Sequence, residues 1–148
     1  MPKYIQGKFT PKNPQKYVGD VKNIVYRSSW ERKLLEFLDN TPSILYYGSE
    51  EVVIPYISPL DDKPHRYFTD FVVQYRTKSG AIKKAIVEVK PEAQTQQPVQ
   101  KNQNKKRYLT EVSTYLVNSA KWNAAKAWCD KNGFDFLILT EKHLGIKK

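Results

Sequence analysis

The chain has 148 residues, with 25 Lys and Arg against 15 Asp and Glu, a net charge of +10. That length is one domain able to bury a sizeable core, and 40% apolar residues with 13% aromatic are globular rather than disordered. No apolar run approaches the ~20 residues that span a bilayer, Met1-Pro2-Lys3-Tyr4 opens no secretory signal, and the basic excess points to a polyanion, nucleic acid before an anionic membrane surface.

Residues 1–26 are rich in Pro, Lys, Tyr and Gly without clean periodicity and read as a basic arm. Up to residue 27 Lys3, Lys8, Lys12, Lys16, Lys22 and Arg27 face one acid, Asp20. Such arms track phosphates; Tyr4, Phe9 and Tyr17 suit docking the arm on the domain ahead of stacking on bases. Residues 27–148 form the core of a single domain. Ser28 starts a helix to about Asp39, Ser28 and Glu31 match a capping box, and Leu34, Leu35 and Leu38 make its apolar stripe.

Residues 44–47 and 51–57 read as strands broken by Gly48, and 59–64 as a turn. Residues 66–76 and 82–90 read as two strands of a hairpin turning at Ser79-Gly80. A polar loop runs from Pro91 to about Asn104. Two helices follow: 105–117, with Leu109, Val112 and Leu116 on one face, and 119–132, with Trp122, Ala125, Trp128 and Cys129 on one face. Gly133 suits the position past the second, and 134–140 reads as a buried strand. The order predicts an α/β domain with a mixed sheet flanked by helices. Cys129, the single cysteine, forms no internal disulfide, suits a reducing compartment and reads as packing. His65 and His143 lack metal-ligand spacing and read as surface residues.

Charged residues inside apolar strands carry the chemistry, because ionised groups there are costly unless paired or bound to a cation. Asp70 lies within Tyr67-Phe68-Thr69-Asp70-Phe71-Val72-Val73, and Glu88 and Lys90 within Ile86-Val87-Glu88-Val89-Lys90. Strand alternation puts Ile86, Glu88 and Lys90 on one face, with Glu88 and Lys90 about 6.5–7 Å apart at the backbone. Pairing across the hairpin brings Asp70 toward Glu88. Two carboxylates so placed repel unless a cation sits between them, and Mg²⁺ suits one or two carboxylates plus waters and substrate phosphate. The Val89 carbonyl adds a further oxygen. Lys90 would orient the attacking water or offset charge on phosphorus. Glu31 shares a helical face with Leu34, Leu35 and Leu38, which turns it toward the sheet as a fourth member beside its capping role. Singly, Asp70 also reads as a solvent-facing strand residue, and Glu88 with Lys90 as an exposed ion pair. Lys8, Lys12, Lys16, Arg27, Lys105, Lys106 and Arg107 are the candidate DNA contacts.

The set resembles the PD-(D/E)xK nuclease superfamily, with Asp70 at the first acidic position, Glu88 and Lys90 as the (D/E)xK element, and Glu31 as the acid of the leading helix; Thr69 stands where the pattern has Pro. A wider likeness is carried by Gly7-Lys8-Phe9, Pro11-Lys12-Asn13, Tyr26-Arg27-Ser28, Trp30-Glu31, Gly48-Ser49-Glu50, Ile54-Pro55-Tyr56, Arg66-Tyr67-Phe68, Glu88-Val89-Lys90-Pro91 and Leu139-Thr140-Glu141. Over nearly the whole chain it is similar to the head-completion family of large contractile-tailed phages. The resemblance implies a restriction-endonuclease-like core and a metal-dependent deoxyribonuclease using Mg²⁺ or Mn²⁺. It also implies action on double-stranded DNA after packaging and before tail joining, beside head or portal proteins, in the virion or the host cytoplasm, away from membranes. The alternative is a neck or plug protein that keeps the fold and binds DNA without cutting. The intact Asp70, Glu88 and Lys90 set opposes that, since two bare carboxylates would repel DNA. A transposon-end or junction nuclease would share the site but not the whole-chain likeness.

Overall fold

The structure, a computed structural model, describes residues 6–101 and 104–145, so Lys3 and Tyr4 lie outside the described residues. The elements are β1 (Gly7–Lys8), β2 (Val25–Tyr26), α1 (Ser29–Asn40), β3 (Ile44–Ser49), β4 (Val53–Ile57), β5 (Pro64–Phe68), β6 (Phe71–Arg76), β7 (Ile82–Val89), α2 (Lys105–Asn132), β8 (Asp135–Leu139) and α3 (Glu141–Leu144). The central sheet has the order β3-β6-β7-β8, antiparallel except for the parallel β7–β8 pair. This is the mixed sheet flanked by helices that the chain order predicts.

Alternation along β7 gives the sheet two buried faces. Ala85 and Val87 join Phe71, Val73, Ile44 and Tyr47 under Leu34, Leu35 and Leu38 of α1, and burying each such leucine contributes about 2 kcal/mol. On the opposite face α2 lays Trp122 and Ala125 against Ile54, Tyr56 and Tyr67 of the β4–β5 ribbon, with Phe136 and Ile138 of β8 beneath. Ile86 and Glu88 have the parity of this second face. Ser28 caps α1 by accepting from Glu31 N at 3.1 Å. The β6–β7 turn closes at Gly80, whose φ of +89° suits glycine.

Four expectations about the elements change. The strand read over 66–76 is two strands in different sheets: β5 pairs with β4, β6 with β3 and β7. The chain crosses between them at Thr69-Asp70. The fully buried Thr69 anchors the crossing, its N–H and hydroxyl both donating to the Val52 carbonyl at 3.1 and 2.8 Å, whereas a proline there would supply neither donor. Gly48 does not break β3 but pairs with Val72 inside it; a Cβ there would sit 3.0 Å from the Val18 carbonyl.

The two helices expected over 105–117 and 119–132 are one, α2, running through Asn118. Neither Gly nor Pro interrupts that stretch, and an interior asparagine costs only about 0.7 kcal/mol. In its first half Leu109 and Leu116 stay exposed rather than forming a buried face. Residues 135–139 form an edge strand rather than a fully buried one, with Leu137 40% exposed.

The basic arm is docked. β1 pairs with β2, Phe9 packs on the α1 core and its N–H donates to the Ile24 carbonyl at 2.8 Å. Tyr17 stands edge-on to Tyr47 at 5.3 Å. Lys16, expected at DNA, instead donates its ammonium to the carbonyls of Leu38, Asp39 and Thr41 at 2.8, 3.0 and 3.0 Å. The Leu38 and Asp39 carbonyls lie in the last turn of α1, which has no intrahelical donors for them, so Lys16 caps the helix, sharing the Thr41 carbonyl with Ile44 N at 3.1 Å. Lys8 and Lys12 keep exposed side chains.

Candidate active site

β7 and the β5–β6 crossing build the site. Phe71 pairs with Val87, so the next step of the register sets Asp70 opposite Glu88 on the same face. Asp70 Oδ2 accepts from Val89 N at 2.8 Å, which fixes the carboxylate beside the end of β7. Glu88 is 4% exposed. Its Oε2 accepts from the Tyr67 hydroxyl, and its Oε1 lies 3.8 Å from Lys90 Nζ. Lys90 N donates to the Leu139 carbonyl at 3.0 Å, which ties this strand end to β8.

Burial disfavours the ionised form of both carboxylates. Burial raises the pKa of Asp70, against the Val89 N–H and the Lys90 charge, which lower it. Burial raises that of Glu88 too, and the Asp70 charge adds to it; the Tyr67 hydrogen bond, Lys90 and Lys121 oppose. Burial and the Glu88 charge hold the Tyr67 phenol protonated, and so a donor.

Glu31 comes within electrostatic reach of Asp70: burial and then the Asp70 charge raise its pKa. The capping box is half-formed, for the Glu31 carboxylate accepts from Arg27 N at 3.4 Å rather than from Ser28 N. Arg27, expected in the DNA-contacting arm, pairs through its guanidinium with Glu50 and lowers the pKa of both Glu31 and Asp70. Glu50 in turn donates its N–H to the Asp70 carbonyl at 3.1 Å and holds a φ of +56°.

The structure thus brings Glu31, Asp70, Glu88, Val89 and Lys90 together at one end of the sheet, with Arg27 beside them. Lys105, Lys106 and Arg107 are exposed in the first turn of α2, where Arg107 pairs with Glu111 at 3.3 Å. His65 and His143 stay outside the site, His65 on Asp61 at 2.8 Å and His143 capping α3 through Thr140. Tyr67, Lys121 and Glu50 escaped the sequence reading. Strand alternation was the available signal for Tyr67, hidden while residues 66–76 read as one strand.

Among the described residues no group of three or more His, Cys, Asp or Glu side chains is arranged to hold a metal. No helix among the described residues is long and apolar enough to cross a membrane.

The pair predicts a pH response opposite to that of ordinary surface carboxylates. Both groups titrate higher in the folded chain than at their ordinary values of 3.8 and 4.5. The folded state therefore holds their protons to higher pH, and metal-free stability falls as pH rises from those values through the folded pKa values. Thermal melts in EDTA between pH 4.5 and 8 are expected to show this fall, flattened in Asp70→Asn; an unchanged slope in that variant opposes the assignment.

The TnsA-like endonuclease N-terminal family matches residues 41–141, the span from the end of α1 to the start of α3. Endonuclease domains of this kind typically depend on a divalent metal. Over 148 aligned residues, 95% of this chain and 96% of the relative, the chain is 43% identical to the Head completion nuclease of Enterobacteria phage T4. No solved structure matches. The chain belongs to the head completion nuclease family, on a TnsA-like endonuclease core, and is a nuclease.

Proposed function

We propose that the chain cleaves double-stranded DNA with Mg²⁺, or Mn²⁺ in its place, held by Asp70, Glu88 and the Val89 carbonyl. The observation that carries this reading is a pair of carboxylates set opposite each other across the β6–β7 register, Asp70 held by Val89 N at 2.8 Å and Glu88 buried beside it. Two protein carboxylates with solvent and phosphate oxygens suit the octahedral preference of Mg²⁺, so the residues fit the ion. When bound it polarises the scissile phosphate and lowers the pKa of water.

The protein's own part is positioning and charge. The Val89 N–H holds Asp70 and the Tyr67 hydroxyl holds Glu88. Lys90, 3.8 Å from Glu88 Oε1, orients the attacking water or offsets charge on the phosphoryl oxygens. Glu31 adds negative charge behind Asp70. Lys8, Lys12, Lys105, Lys106 and Arg107 supply exposed positive charge for the backbone of the duplex.

By its likeness to the phage protein, the reaction belongs to virion assembly. It acts on packaged DNA after head filling and before tail joining, next to head or portal proteins, in the host cytoplasm or the virion. Incubation of purified protein with linear and circular duplex DNA tests the chemistry. Cleavage is expected with Mg²⁺ or Mn²⁺ and none in EDTA, while binding in EDTA persists and weakens steeply with salt as counterions are released. Cleavage undiminished in EDTA opposes the metal reading.

A further inference from the structure

We infer that Tyr67 and Lys121 are positioning residues that orient the Glu88 carboxylate for metal binding. The inference deepens the metal assignment and rests on it. Three separate elements meet here: Glu88 from β7, Tyr67 from β5 and Lys121 from α2. The two Glu88 oxygens have different partners. The Tyr67 hydroxyl donates to Oε2, and Oε1 faces Lys90 at 3.8 Å. A carboxylate held at one oxygen by a buried donor keeps one orientation and leaves the other oxygen for a cation.

Tyr67 is itself held. It is 3% exposed and packs with Ile54, Tyr56 and Trp122. Lys121 Nζ stands 5.6 Å from the centre of its ring and 5.9 Å from that of Tyr56. An ammonium over two aromatic faces is attracted to both. It binds α2 to the ribbon at the ring whose hydroxyl reaches Glu88, and its positive charge acts on Glu88 beside that of Lys90. Core packing explains the Tyr67 ring but not its hydroxyl, and surface solvation does not place an ammonium over two rings.

Hydrogen bonds from outer partners to metal-binding carboxylates typically matter about 10–100-fold in affinity. Calorimetric titration of Mn²⁺ into the full chain, without DNA, reads this directly. Tyr67→Phe keeps the ring and is expected to raise the Mn²⁺ Kd about tenfold in a chain that still melts cooperatively. Lys121→Met is expected to raise it about threefold, and Lys121→Arg to restore it. In cleavage assays both losses should shift the metal concentration for half-maximal rate and be largely recovered at saturating Mn²⁺. Glu88→Gln separates the two levels of the argument. If it abolishes Mn²⁺ binding while Tyr67→Phe binds as the wild type does, the positioning role is wrong and the metal site stands. If Glu88→Gln binds Mn²⁺ normally, the metal assignment itself fails.

Discussion

Asp70→Asn and Glu88→Gln are each expected to lose cleavage by at least about a thousandfold while remaining folded. Each amide copies the shape of the carboxylate it replaces. Asn at position 70 still offers an oxygen to Val89 N, which Asp70 meets at 2.8 Å, and Gln at position 88 still accepts from the Tyr67 hydroxyl. What disappears is the negative charge, which is what a divalent cation needs. The same removal relieves the mutual repulsion of the pair and the burial of an ionised group. Each variant should therefore melt at or above the wild-type temperature in EDTA near neutral pH. DNA binding in EDTA should hold or strengthen, because one fewer carboxylate faces a polyanion. Gain of stability with loss of function is the expected signature of an active site built at the expense of the fold. Full cleavage by either variant removes the site assignment. Glu31→Gln should lose less, since Glu31 acts on Asp70 through its charge and spends one oxygen on Arg27 N.

The parts of this site that could be read from the chain are those set by local geometry. Period-two alternation alone places Ile86 and Glu88 on one face, and the Ser79-Gly80 turn aligns Asp70 with Glu88. Ser28 marks the start of α1, whose first turn carries Glu31. The parts that could not be read depend on contacts between distant segments. Tyr67 to Val73 keeps an apolar alternation across the crossing, so nothing local shows that β5 leaves the central sheet. The pairing of β5 with β4 and the hydrogen bonds of Thr69 to Val52 reveal the change. Lys121 gives no local sign that it will lie over Tyr56 and Tyr67. Lys16 looks like any arm lysine until the carbonyls at the end of α1, over twenty residues away, close around it. Charge counting finds the basic excess, and structure is needed to divide it between DNA and scaffold.

The arm's attachment makes Asp39 the position where a single truncation should cost the most stability. Asp39 is 1% exposed and stands at the end of α1. Its Oδ2 accepts from Lys12 N at 2.8 Å, and its Oδ1 from Asn13 N at 3.2 Å and from the Tyr47 hydroxyl at 3.0 Å. Asp39→Ala leaves two backbone N–H groups and a buried phenol without acceptors, each costing about 1–3 kcal/mol where water does not reach it. Water can reach the part-buried amides more easily than the phenol, so the sum is discounted to about 3–5 kcal/mol, a fall of roughly 10–15 °C in melting temperature for a chain of this size. Asp39→Asn should fall between the two, since an amide keeps one acceptor oxygen and turns an NH₂ toward the remaining donors. The damage should also be local first. Phe9 and Tyr17 pack on the α1 core through the segment that Asp39 holds, so limited proteolysis of Asp39→Ala should cut the arm between residues 8 and 20 before the core. An Asp39→Ala protein that melts within a degree or two of the wild type, with its arm protected, would mean that strand pairing and the aromatic contacts hold the arm without the carboxylate.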